Sequence, residues 1–113
     1  MKTHYLHCQN PWFNLIRDGK KTVEGRKNLP KFRTWRPGDH LIFQHKNEQF
    51  STRIVALRRY KNLSEYLNTE GFQRVLPGVE SFDEAMHIYL QWSTEEEIAK
   101  YGFLAIEVEL LNS

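Results

Sequence analysis

Between Gly19 and Arg26 the chain reads Gly-Lys-Lys-Thr-Val-Glu-Gly-Arg, a concentration of groups able to do chemistry. Read as a strand, this stretch puts Thr22, Glu24 and Arg26 on one face by the two-residue period, with Lys21 at its mouth. A carboxylate in such a set can take a proton from a water. An ammonium or guanidinium can hold the negative charge that then develops. The same groups can instead hydrogen-bond the edge of a base. Val23 is the only large apolar side chain in the stretch. The strand therefore either lies at a sheet edge with both faces wet or turns its polar face into a cleft, and the spacing leaves both readings open.

The elements that must position this strand can be read in order. Thr3 to Gln9 reads as a short strand. Asn10-Pro11 then opens a helix that runs to about Asp18, Asn as cap and Pro at the first helical position. Trp12, Leu15 and Ile16 share one face of it, and Gly19 ends it. Lys27 to Arg36 is a basic connection in which Phe32 and Trp35 interleave with Lys31, Arg33 and Arg36. Aromatics between cations can stack on bases, or they can cap the core as the loop crosses it, and at least one of the two is expected to do the latter. Pro37-Gly38-Asp39 is a tight turn. His40 to Lys46 and Gln49 to Tyr60 read as an antiparallel pair, the second apolar on both faces in its middle and so central. Leu63 to Thr69 reads as a helix stopped by Gly71, and Leu76-Pro77-Gly78 as a second turn. Ser81 and Ser93 each precede a glutamate by three residues, which predicts two capped helices, to about Gln91 and about Tyr101. Phe103 to Leu111 alternates as a half-buried strand. About five strands with short helices at both ends and in one insertion make a small mixed sheet or open barrel, an α+β rather than a doubly wound fold.

The totals narrow the class. A chain of 113 residues, 40% hydrophobic and 13% aromatic, has the composition of one globular domain with a single core. No run approaches the roughly twenty apolar residues of a membrane span, and no signal-peptide core is present, so a soluble cytoplasmic protein is expected. Cys8 is the only cysteine, which excludes an internal disulfide. Neither Cys8 nor the histidines (His4, His7, His40, His45, His87) show metal-ligand spacing, and no cofactor is expected. Charge is distributed unevenly: from Arg17 to Arg36 eight Lys or Arg face two acids, while from Glu80 to Lys100 six acids face one base. The basic side would attract a phosphate-bearing partner. The acidic run sits at predicted helix N-termini, where the backbone dipole accounts for it.

The ordered set of motifs resembles the ASCH domain family. The resemblance rests on residues 19–26, Pro37-Gly38-Asp39, Arg59-Tyr60-Lys61, Glu70-Gly71, Leu76-Pro77-Gly78 and Tyr101-Gly102-Phe103-Leu104-Ala105-Ile106-Glu107, and so spans essentially the whole chain, 1–113, as a single domain. It implies a PUA-like β-barrel with a cleft on one side and a nucleoside or single-stranded RNA as ligand. One bacterial branch of that family comprises N4-acetylcytidine amidohydrolases with a Lys, Thr, Glu site. The branch's lysine matches Lys21, its glutamate falls nearest Glu70, and its catalytic threonine falls at Glu24, where this chain departs from the pattern. The resemblance therefore implies an N4-acylcytidine amidohydrolase. In it Glu24 would act as base on a water, Lys21 would hold the oxyanion or protonate the leaving amine, and Thr22 would place the water or the substrate carbonyl. Arg26, Trp35, Phe32 and Tyr60 would contact the ligand. The alternatives are a non-catalytic RNA or modified-nucleotide binding module, in which Glu24 and Arg26 meet each other or a base edge, and a ribonuclease using the same cleft.

Overall fold

The apolar alternation is realised as five strands: β1 (Thr3–His7), β2 (Val23–Lys27), β3 (His40–His45), β4 (Glu48–Tyr60) and β5 (Phe103–Leu110). In the computed structural model, which describes residues 1–111, they form one sheet in the order β1-β3-β4-β5-β2. β1 runs parallel to β3 and every other pairing is antiparallel. β4 is central, as its two apolar faces predict, and a bulge between Ile54 and Ala56 breaks its register with β5. Bulges raise local twist and bend the bulged strand. The sheet curls into a half-barrel whose edges, β1 and β2, face each other without backbone pairing.

Five short helices surround the sheet: α1 (Trp12–Arg17), α2 (Leu63–Glu70), α3 (Phe72–Val75), α4 (Phe82–Tyr89) and α5 (Glu95–Tyr101). A 3-10 turn, Pro30–Thr34, occupies the basic connection. Helix α1 begins at Trp12 with Pro11 in the cap position, one residue later than predicted, and Asn10, just ahead of it, accepts the Asn14 backbone N–H at 2.9 Å. α1 buries Phe13 and Ile16 completely, whereas Trp12 and Leu15 are half-buried. The expected stripe is thus rotated by one residue, because the helix packs its Phe13 side against β3. The cap of α4 is Ser81, as predicted. That of α5 is Thr94 with Glu97, one residue later than the predicted Ser93 pair, and both reciprocal bonds of the box form there.

Two apolar clusters lie on opposite faces of the sheet. Leu6, Phe13, Phe32, Trp35, Leu41 and Phe43 belong to the one inside the curl. Val23, Tyr66, Leu67, Val75, Tyr89 and Phe103 belong to the other, under α2 to α5. Burying a side chain such as Leu41 or Phe43 completely contributes about 1.5–3 kcal/mol. β5 feeds both clusters, Leu104, Ile106 and Val108 into the first and Phe103 and Ala105 into the second. It is therefore buried on both faces for most of its length, not half-buried, since it lies inside the sheet between β4 and β2.

Candidate functional site

β2 is an edge strand, and its polar face looks across the seam toward the end of β1. Strand alternation sends Val23 into the outer cluster and turns Glu24 and Arg26 the other way, toward His7 and Cys8. The two readings left open by the spacing thus resolve as an edge strand whose polar face lines a cleft. Arg26 bridges the seam: one Nη2 hydrogen bond reaches the His7 carbonyl at 2.7 Å and another the Glu24 carboxylate at 2.8 Å. A cavity of about 310 Å³ opens there, with Glu24 and Arg26 on its floor and Trp12, Phe32, Tyr89 and Trp92 among its walls.

Glu24 is only 7% exposed. Its Oε2 accepts from Arg26 Nε at 3.1 Å and Nη2 at 2.8 Å, and the Cys8 thiol approaches it at 3.7 Å. Its Oε1 lies 3.5 Å from Lys21 Nζ, an ion pair without a close hydrogen bond. Burial alone would raise the Glu24 carboxyl, but Arg26 and Lys21 outweigh it and hold the group below its usual range. It is a fixed anion. Lys21 is fully buried behind it, its ammonium donating to the Val23 carbonyl at 2.6 Å and to the Val75 carbonyl. Burial lowers the Lys21 pKa, partly countered by Glu24. Burial, and then Glu24, push the Cys8 thiol up to about 12, so it stays protonated and donates.

Of the expected site residues, the structure brings Lys21, Glu24, Arg26 and Phe32 together at the cleft, Lys21 from beneath its floor and the others at its surface. Thr22 precedes β2, its carbonyl accepts the Val108 N–H, and it does not line the cavity. Trp35 is 5% exposed, stacked on His4 at 4.3 Å and edge-on to Phe32. Phe32, at 1% exposed, is buried with it, so both aromatics of the basic connection cap the core and only Phe32 also meets the cleft. Glu70 and Tyr60 bond each other between the end of α2 and β4, and neither lines the cleft.

Lys31, expected in the basic connection, lies at the cleft, whereas Trp12, Tyr89, Trp92 and the His7–Cys8 end of β1 were not expected there. One signal was available for Trp92: a tryptophan on the linker between two capped helices has no helix face to bury it, and it is 48% exposed. His7 and Cys8 carry none, since only the curl of the sheet carries β1 across to β2.

Fold and site together define a small mixed-sheet domain, curled and open along one side, with its polar cleft at the opening. The chain belongs to the ASCH domain family, whose sequence profile matches residues 6–112. The crystal structure of the hypothetical protein PH0355 superposes with a TM-score of 0.88 at 38% identity, over 98% of this chain and 100% of that one. The solution structure of PF0455 from Pyrococcus furiosus gives 0.80 at 36% identity, with both chains covered completely. A mutant form of ZmASCH from Zymomonas mobilis gives 0.65 at 13% identity, over 96% of this chain and 70% of that one, a likeness of fold alone. No curated protein matches the chain. The family assignment supports a module of RNA-binding or hydrolase type. Among the described residues no helix is long and apolar enough to cross a membrane, and no cluster of His, Cys, Asp and Glu could hold a metal ion.

Proposed function

We propose that the cleft binds one base of a nucleotide or of single-stranded RNA, with Glu24 accepting a hydrogen bond from the base's exocyclic amine. The observation that carries this reading is a buried carboxylate held as an anion in a cleft, with Oε2 committed to Arg26 and Oε1 without a close donor. An ionised carboxylate only accepts, so it favours the amine of cytosine and disfavours the O4 carbonyl of uracil. Trp12 and Trp92 offer ring faces for stacking, with buried Phe32 beneath them as wall, and Lys31, exposed at the rim, supplies charge for a phosphate. A volume of 310 Å³ lies at the lower end of the roughly 300–1,000 Å³ usual for small-molecule sites and suits one nucleoside unit. Calorimetric titration tests it. Cytidine 5′-monophosphate should bind and uridine 5′-monophosphate bind at least about tenfold more weakly, and Glu24→Gln should erase most of that difference, since each good base contact is worth about 1–3 kcal/mol of discrimination. Equal affinities for the two nucleotides overturn the reading.

One observation favours amide hydrolysis as a second reading: Lys21, its ammonium destabilised by burial, stands directly behind the cleft's carboxylate. Water would add to the acyl carbon of an N4-acylated cytidine, the C–N bond would break, and the amine would leave carrying the proton. Glu24, held below the usual carboxylate range, is a weak base, so Lys21 would have to move that proton. Chromatography of N4-acetylcytidine incubated with the protein should then show cytidine and acetate, with none from Lys21→Met. No product from the wild-type protein removes this reading and leaves the first intact.

A further inference from the structure

Two buried carboxylates lie outside the cleft, Asp39 and Glu70, and the second stands at the end of α2. Arg58 on β4 reaches it through Nε at 2.6 Å and Nη2 at 2.8 Å, the Tyr60 hydroxyl donates to it, and Arg74 Nη1 on α3 stands at 3.2 Å. Arg58 and Arg74 also converge on Glu107 of β5, at 2.8 and 3.3 Å. The corner between α2 and α3, made by Gly71 at φ +90°, is therefore nailed to β4 and β5, two of the sheet's three inner strands. A buried ionic network of this kind adds little net stability over an apolar replacement, but it fixes geometry.

What it fixes lies one residue beyond Arg74. The Val75 carbonyl accepts from the Lys21 ammonium and is the acceptor in that shell that does not come from β2, the others being the Val23 carbonyl and, more loosely, Glu24. We infer that Glu70 is a positioning residue for the cleft: by holding α3 through Arg74 it sets the Val75 carbonyl, and so the place of the Lys21 cation behind Glu24. It acts through other residues and touches no ligand. The inference rests on the nucleobase reading only for its consequence on binding, because the Lys21 environment is measurable with no ligand at all.

The charged or titratable groups facing Lys21 are Glu24 and Arg26 on β2 and Cys8 at the end of β1, while α3 presents a carbonyl and α1 the Trp12 ring. Withdrawing the Val75 carbonyl removes a hydrogen bond to the charged form, which lowers the Lys21 pKa further. The experiment is an NMR titration of lysine Cε resonances, with Lys21 assigned by its loss in Lys21→Met. Glu70→Gln should lower the Lys21 pKa by about 1, and Arg74→Met, which cuts one link and leaves Arg58 on Glu70, by a smaller amount in the same direction. Glu97→Gln breaks a bridge of similar length but more exposed, Lys27–Glu97 at 2.9 Å between β2 and α5, and should leave Lys21 unmoved. Cytidine 5′-monophosphate affinity should fall about fivefold or more in Glu70→Gln and hold in Glu97→Gln. If Glu70→Gln lowers the melting temperature while Lys21 titrates as in the wild type, Glu70 is a structural brace only and the inference fails. If Glu70→Gln does not fold, an unmoved Lys21 in Arg74→Met overturns it equally. A shifted Lys21 together with no nucleotide binding by the wild-type protein sinks the nucleobase reading and leaves the positioning role standing.

Discussion

Gly25 separates Glu24 from Arg26, and its missing side chain is what lets the strand lie against the outer cluster. A Cβ built there would fall against the Tyr66 hydroxyl oxygen and within 2.7 Å of Tyr66 Cζ and Phe103 Cε2. Carbon atoms in contact prefer about 3.5–4.0 Å, so Gly25→Ala drives roughly 1 Å of overlap into two rings at once. Neither ring has room to yield: Tyr66 is 0% and Phe103 1% exposed. Overpacking of this kind costs about 1–3 kcal/mol, and the double clash puts it at the upper end. Shifting Tyr66 also strains its 2.8 Å hydrogen bond to Tyr89, worth about another 1 kcal/mol, while the lost glycine freedom of the unfolded chain returns about 0.4–1 kcal/mol. The net cost is about 3 kcal/mol. At roughly 4 °C per kcal/mol for a domain this size, the melting temperature should drop by about 10 °C or more, read by far-UV circular dichroism, with a matching fall in the urea midpoint. Tyr89 lines the cleft, so the near-UV aromatic signal should change as well. A variant that melts within about 2 °C of the wild type would refute the packing argument.

Trp92→Ala should weaken nucleotide binding by about 1–3 kcal/mol with a melting temperature almost unchanged, since the residue is half-exposed and, under the proposed function, would stack on ligand rather than core. Fluorescence titration against a thermal melt separates the two effects, and unchanged affinity would remove Trp92 from the site. Acid should destabilise the fold. Glu24 and Glu70 are each pushed up by burial but held lower overall by their arginine partners, and Asp39 is held down at about 2 chiefly by its hydrogen bond from His4. The unfolded chain takes up these protons first, so the stability they contribute is complete above their ordinary range and is lost as pH falls through their folded values. Urea midpoints at pH 7, 5 and 3 should decline toward acid, and a midpoint at pH 3 equal to that at pH 7 would contradict the assignment.

Local chemistry made most of the elements legible. The Ser81 cap, the turn at Pro37-Gly38 and the alternation of Leu41 and Phe43 each act over a few residues, and each forms where its pattern lies. The cap of α5 slipped by one because Ser93 and Thr94 both precede a glutamate by three, and nothing local ranks them. In the cleft, Lys21, Glu24 and Arg26 stood out because three ionisable groups crowd one short strand. Their partners did not. Cys8 reaches Glu24 only through the curl of the sheet, and Val75 reaches Lys21 only because a four-residue helix docks on β2. Glu70 and Trp35 carry residue types that suit a site, but the structure places them outside the cleft, in a long-range ion-pair network and in the core.

The open side of the barrel is spanned by a guanidinium, Arg26 reaching the His7 carbonyl, where a closed barrel would have a run of backbone pairs. Paired strands are held at one spacing, about 4.8 Å, so a sealed hoop has a fixed bore. Here the hoop is fastened by a buckle with rotatable bonds. Its aperture can widen by fractions of an ångström without forfeiting a strand pairing, and a substitution at position 26 would unfasten the mouth and at the same stroke strip buried Glu24 of its closest counter-charge.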